Sequence, residues 1–251
     1  MALGEAHLRI ESVTKRFGGL VALKDVSFAL NKGELLGLIG PNGSGKTTLI
    51  NVITGIYRPE GGRIFLNGSE ITGLKPYRIC RMGIGRTYQI PRLFSAMTAL
   101  DNVVVGAIFG KDRKADLGEM RRKAAELLDF VDFPKLRRDE LAGRLTLMES
   151  KKLELARALA TDPEILLADE PLGGLNPVEI DEAVELIKRI RDSGKTVLII
   201  EHVMRAIMKL AERIVVLSHG AKIAEGEPKE IANDEKVIEA YLGERIYAPS
   251  Q

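Results

Sequence analysis

Short apolar runs alternate along the chain with amphipathic stretches, and glycine-rich turns separate them. Leu8–Ser12 and Val26–Leu30 have strand length, with Gly18-Gly19 as a turn between them and Asn31-Lys32-Gly33-Glu34 as the next. Leu35–Ile39 is a continuous apolar run of the buried-strand type. A glycine-rich loop follows, and Thr47–Thr54 opens a helix. Beyond the turn at Pro59-Glu60-Gly61-Gly62, Arg63–Leu66 predicts a strand closed by the tight turn Asn67-Gly68. From Gln89 to Leu145 the pattern becomes helical, with alanines and leucines at helical spacing over Met120–Phe130 and with Pro91 and Pro134 as punctuation. The spacing then predicts helix over Lys151–Ala160, strand over Ile165–Ala168, and an amphipathic helix over Val178–Arg191 that Ser193-Gly194 ends. Strand Thr196–Ile200, helix Val203–Ala211, strand Ile214–Leu217, a hairpin arm at Ala221–Glu225 and a helical tail over Pro228–Gly243 complete the chain. Such alternation predicts an α/β fold, a mostly parallel sheet with helices on both faces.

Composition narrows the class. A length of 251 residues suits one domain with a lobe or two. With 45% hydrophobic and 29% charged residues the chain has material for a sizeable core, and with no Trp that core is mostly aliphatic. Basic and acidic residues, 37 against 35, balance too closely for nucleic acid to be the main partner. Cys80 is alone, so no internal disulfide forms, and a reduced compartment fits. Met1–Ile10 carries charges and no long apolar run, so no signal peptide is expected. No stretch approaches the roughly 20 apolar residues of a membrane helix.

The chemistry starts at Gly40-Pro41-Asn42-Gly43-Ser44-Gly45-Lys46-Thr47, which fits G-x-x-x-x-G-K-[ST] in full and is continued by Thr48. A strand precedes it and a helix follows, as the motif requires. Glycines let backbone N–H groups curl around an anion, and the helix start adds further N–H groups and its positive dipole end. Lys46 can reach β- and γ-phosphates, and the Thr47 hydroxyl can ligate Mg²⁺. A second feature is the apolar strand that ends in Asp169-Glu170. Ligands sit at the carboxyl ends of parallel strands, so Asp169 suits a magnesium site and Glu170 a general base for water. The plainer alternative is a helix cap or a salt-bridged pair.

These two motifs, their spacing and the segments between them resemble the ATP-binding subunit of ABC transporters over nearly the whole chain. Gly83-Ile84-Gly85-Arg86-Thr87-Tyr88-Gln89, then Arg92-Leu93-Phe94 and Met97-Thr98, are similar to the branched-chain amino acid import group. So are Glu170-Pro171-Leu172-Gly173-Gly174-Leu175-Asn176-Pro177 and the tail from Glu225-Gly226-Glu227-Pro228 to Tyr241-Leu242-Gly243-Glu244, a tail that lipid-export ATPases share. The resemblance implies a P-loop NTPase (RecA-like) core of residues 1–88 and 155–225 with an N-terminal antiparallel β subdomain, an inserted α-helical subdomain at 89–154 and a C-terminal helical tail at 226–251. It implies that Phe17 stacks on adenine, that Gln89 touches Mg²⁺ and the attacking water, and that His202 contacts the γ-phosphate. His7 and His219 carry no such role, and no Cys/His cluster supports zinc.

One segment departs from the family pattern. Where the Leu-Ser-Gly-Gly-Gln signature loop is expected, this chain has Leu145-Thr146-Leu147-Met148-Glu149, followed by the helix. Thr146 keeps a hydroxyl, and Thr146 and Glu149 remain candidate contacts to the ATP of an opposing subunit. Both glycines are replaced, so either the loop works with Leu147 and Met148 turned away, or it weakens one of two composite sites. The implied cofactors are ATP and Mg²⁺. The implied partners are a second ATP-binding subunit, identical or paralogous, and transmembrane permeases docking near Gln89 and the helical lobe, at the cytoplasmic face of the membrane. A lipid or lipopolysaccharide exporter and a soluble non-transport ABC ATPase are the competing readings. No Asn-Lys-x-Asp motif appears, which disfavours a GTPase.

Overall fold

The computed structural model describes residues 6–110 and 116–247, with side chains through 241. The chain divides into two compact units, Met1–Pro76 with Thr196–Gln251, and Tyr77–Lys195. The first unit opens with strands β1 (Ala6–Phe17) and β2 (Leu20–Asn31), each much longer than the apolar pattern indicates. The underestimate has a cause: the β1–β2 register slips at several points, and Ser12 and Asp25 take positive φ. Such bulges break strict alternation of buried and exposed residues. β3 (Leu35–Ile39) is buried at every position. The glycine loop leads into α1 (Lys46–Ile53), and β4 (Gly61–Leu66) turns at Asn67-Gly68 into β5 (Ser69–Glu70). β2, β1, β4 and β5 form an antiparallel sheet in that order.

The second unit begins within α2 (Pro76–Arg81) and continues into β6 (Ile84–Arg86), two elements too short to show in the pattern. The helical stretch expected from Gln89 to Leu145 is resolved into α3 (Ala99–Phe109), α4 (Leu117–Phe130) and two single 3₁₀ turns, while residues 89–98 are irregular. Pro91 lacks the N–H a helix needs there. Asn102, fully buried, bonds both the N–H and the carbonyl of Phe94 and so holds that stretch in place. In α4 the buried residues Met120, Ala124 and Leu128 recur every four positions, a stripe that packs on its neighbours.

α5 (Leu147–Ala160) starts ahead of Lys151, where the spacing predicts it to begin. Thr146 is its N-cap: Thr146 Oγ1 accepts from Glu149 N, and Glu149 Oε2 accepts from Thr146 N. This reciprocal capping box satisfies two otherwise orphaned donors and starts the helix inside the supposed loop. α3, α4 and α5 pack together, closely enough that a methyl group on Gly106 would lie 2.4 Å from the Arg157 carbonyl oxygen. β7 (Ile165–Asp169) runs parallel to β6, and α6 (Pro177–Asp192) starts with Pro177 after an Asn176–Glu179 capping box.

The chain then returns to the first unit with β8 (Thr196–Ile200), α7 (Met204–Leu210), β9 (Arg213–Ser218) and β10 (Ala221–Gly226). β3 is parallel to both β8 and β9, and β10 is antiparallel to β9. Strands buried at every position read as near-continuous apolar runs, as β3 does and as β8 does after Thr196. The tail is two helices, α8 (Pro228–Ala232) and α9 (Glu235–Tyr247), since Asp234 interrupts it and accepts from Lys236 N. The last stretch of the expected tail, residues 248–251, lies outside the described residues, as do the side chains of Leu242, Gly243 and Glu244. No helix among the described residues is long and apolar enough to cross a membrane.

Candidate active site

The first unit carries the phosphate-type loop between β3 and α1. Gly40 has φ 149°, and a methyl group there would lie 2.1 Å from the Leu217 carbonyl oxygen. Gly45 has φ 103° as the α1 N-cap, and a methyl group there would lie 2.6 Å from the Ala22 carbonyl oxygen. Only glycine fits either position. The loop closes on its own lysine: Lys46 is 7% exposed, and its Nζ donates to the carbonyls of Gly40 at 2.7 Å and Pro41 at 2.8 Å. Ser44 Oγ is 3.5 Å from the same nitrogen. A buried ammonium thus stands at the centre of the loop, and Asn42, Gly43 and Thr47 are exposed around it while Thr48 is half-buried.

Two further candidates lie in this unit. Phe17, at the end of β1, is 42% exposed and meets Tyr57 edge-on at 5.1 Å, with Lys15 Nζ 5.2 Å from its ring centre. It is therefore not a core residue. His202 follows β8 after one intervening residue and is exposed, while its backbone N–H donates to the buried Glu201 carboxylate.

The second unit carries the acids. Asp169 ends β7 with 3% exposure, and its Oδ2 accepts from Arg86 Nη2 at 2.9 Å. The next residue, Glu170, holds φ 48°, a left-handed conformation that costs a non-glycine residue free energy. Its carbonyl accepts from Lys151 Nζ at 3.2 Å and from Gly173 N at 3.2 Å, two bonds that fix the turn. Its side-chain Oε2 accepts from Gln89 Nε2 at 2.7 Å, so the structure brings these two candidates together. Thr146 and Glu149 also meet, as the α5 capping box. A hydroxyl that accepts one bond still has its proton to donate, so Thr146 keeps the capacity to bond a phosphate oxygen. Leu147 turns onto the loop after Glu170, where a methyl group on Gly174 would lie 2.9 Å from Leu147 Cδ2.

Three residues absent from the sequence expectations touch these candidates: Arg86 on Asp169, Lys151 on the Glu170 carbonyl, and Glu154 on the segment around Gln89. Arg86 stands in the same glycine-flanked stretch as Gln89, and that position was the available signal. The other two are spaced along α5, but their partners are distant in sequence. Among the described residues no group of three or more His, Cys, Asp or Glu is placed to hold a metal ion. The Thr47 hydroxyl in the first unit, and separately the Gln89 amide and the Asp169 carboxylate in the second, carry hard oxygen donors of the kind Mg²⁺ takes.

A glycine loop closed on a buried lysine, an apolar strand ending in paired acids, and an antiparallel sheet with an inserted helical set define an ABC-type ATPase cassette. The family described as ABC transporter matches residues 23–173, and the chain belongs to it as an ATP-binding and ATP-hydrolysing subunit. Residues 221–247 match the family described as branched-chain amino acid ATP-binding cassette transporter. The chain is 40% identical over 250 residues to the high-affinity branched-chain amino acid transport ATP-binding protein BraF of Pseudomonas aeruginosa, covering 94% of this chain and 98% of that one. It is similar to the ADP conformation of an ATP-binding cassette of an ABC transporter, with TM-score 0.86, 35% identity, and 95% and 99% of the two chains covered. A dimeric bacterial ABC transporter cassette matches with TM-score 0.81 and 30% identity, over 88% of this chain and 98% of that one.

Proposed function

We propose that this subunit powers import of branched-chain or other amino acids through a membrane transporter, on the cytoplasmic face of the membrane and attached through permease subunits. The observation that supports this most directly is the match of residues 221–247 to the branched-chain amino acid cassette family. Pairing with a second cassette is supported by the dimeric relative.

In the first unit the loop amides and Lys46 bind the β- and γ-phosphates, Phe17 stacks on adenine, and His202 donates to the γ-phosphate. Thr47 of the first unit, and Asp169 and Gln89 of the second, are the residues that would hold Mg²⁺, which would supply charge neutralisation for the substrate phosphates. In the second unit Glu170 accepts a proton from water as the water oxygen attacks the γ-phosphorus, and Gln89 orients that water. The bond from the γ-phosphorus to the ADP oxygen breaks, releasing ADP and inorganic phosphate. Thr146 and Glu149 contact the nucleotide held by the opposing subunit. Positioning and electrostatics carry the reaction, with no covalent enzyme intermediate.

The test uses the full chain reconstituted in proteoliposomes with its permease partners. Leucine or a related amino acid, delivered by a binding protein, is expected to stimulate ATP hydrolysis and accumulate inside. Stimulation by a lipid or lipopolysaccharide and not by amino acids would favour the exporter reading. Glu170→Gln is expected to keep ATP binding and to lower kcat by roughly 100-fold or more. Unchanged turnover in that variant would remove Glu170 from its role.

A further inference from the structure

Glu154 sits on α5, two turns inside the capping box, and is 3% exposed. None of the roles above uses it. Its Oε2 accepts from Tyr88 N at 3.2 Å and its Oε1 from Arg92 N at 2.9 Å. Those two amides flank Gln89 on either side. Arg157, one turn further along α5, has Nη2 3.6 Å from Glu154 Oε1 and lies over the Phe94 ring at 5.5 Å. The Tyr88 ring is met by Arg86 at 4.6 Å and by Arg92 at 4.5 Å. One turn before Glu154, Lys151 holds the Glu170 carbonyl.

The choice of a carboxylate here has a physical cost. Burial pushes the Glu154 carboxyl up from its ordinary range, although both amides and the nearby Arg157 and Lys151 favour its charged form. A position that served packing alone would be better filled by an apolar side chain. What a carboxylate offers is two acceptor oxygens and no donor, which matches two N–H groups arriving together.

We propose that Glu154 is a positioning residue for Gln89, clamping the backbone before and after it so that the amide stays on the Glu170 carboxylate. The same helix begins at Thr146 and Glu149, and so α5 ties three segments together: its own nucleotide-facing first turn, the turn at Glu170 through Lys151, and the Gln89 segment through Glu154. This rests on the catalytic role proposed for Gln89. The informative substitution is Glu154→Gln. It is isosteric, but its amide nitrogen is a donor, so one of the two N–H groups loses its acceptor.

The experiment measures steady-state ATP hydrolysis by the full chain assembled with its transporter partners, for the unsubstituted chain, Q89A, E154Q and the double variant. Q89A and E154Q are each expected to lower kcat roughly 10- to 100-fold, with KM for ATP changed by less than about twofold. The double variant is expected to be no slower than Q89A alone, because a clamp that acts through Gln89 has nothing left to position. An E154Q kcat equal to the unsubstituted value, or losses that multiply in the double variant, would overturn the proposal and leave the role of Gln89 standing. An unaffected Q89A would overturn both. Should E154Q fail to fold, amide hydrogen exchange on the unsubstituted chain decides: slow exchange at Tyr88 and Arg92 supports the clamp, and free exchange at both overturns it.

Discussion

The phosphate-type loop and the segment Leu145–Glu149 are both places where the family pattern calls for glycine, yet they treat that requirement in opposite ways. At Gly40 and Gly45 the demand comes from the chain itself, because backbone carbonyl oxygens of Leu217 and Ala22 occupy the space a methyl group would take, at positive φ. At Leu147 and Met148 no such demand exists. These residues are the first turn of α5, in helical conformation, with half-exposed or exposed side chains. A glycine fixed by its own fold cannot vary, whereas one wanted for room around a ligand can be replaced once the backbone becomes a capped helix start.

Breaking this contrast at its strong end gives the largest effect. Gly40→Ala is expected to destabilise the chain by at least about 3 kcal/mol, or to abolish nucleotide binding where it folds, since it adds both a clash and a strained φ. Denaturant unfolding with nucleotide titration checks this. A folded Gly40→Ala chain with unaltered stability would remove the steric argument.

At the other end, Thr146→Ala removes the N-cap and is expected to cost about 1 kcal/mol, seen as a lowered unfolding midpoint. Leu147→Gly with Met148→Gly is expected to cost roughly 1 kcal/mol through helix propensity and to keep or raise ATP turnover. A collapse of turnover at preserved stability would show that the Leu147 contact on Gly174 is required for activity. The smallest effect concerns pH. Because the Glu154 carboxyl is pushed up in the fold, its stability contribution is full below the unfolded carboxylate pKa and is lost as pH rises through the higher folded value. The stability of the unsubstituted chain relative to E154Q is therefore expected to improve as pH falls through that window, measurable by urea unfolding at several pH values.

What the sequence disclosed, and what it did not, divides along the same physical line. β3 and β8 were legible to the residue because a strand buried at every position is a near-continuous apolar run, broken in β8 only by its first residue, Thr196. The phosphate-type loop was legible because its steric demands leave little freedom. The start of α5 is encoded by the capping-box pattern Thr146-x-x-Glu149, but it lies in a segment where the family pattern places a glycine-rich loop, and that overlap masks the helix start. β1 and β2 were shortened by their bulges. Arg86 on Asp169, and Glu154 on Tyr88 and Arg92, join residues more than sixty positions apart, and no local periodicity encodes such pairs.

The claim on which everything else stands is that a triphosphate takes its place among the loop amides beside Lys46. Calorimetric titration of the full chain with Mg²⁺-ATP, before and after Lys46→Ala, tests it most directly. The account predicts saturable binding that falls by roughly 100-fold or more in the variant, the loss of a charge-assisted contact to phosphate. Equal affinity in the two chains would contradict it.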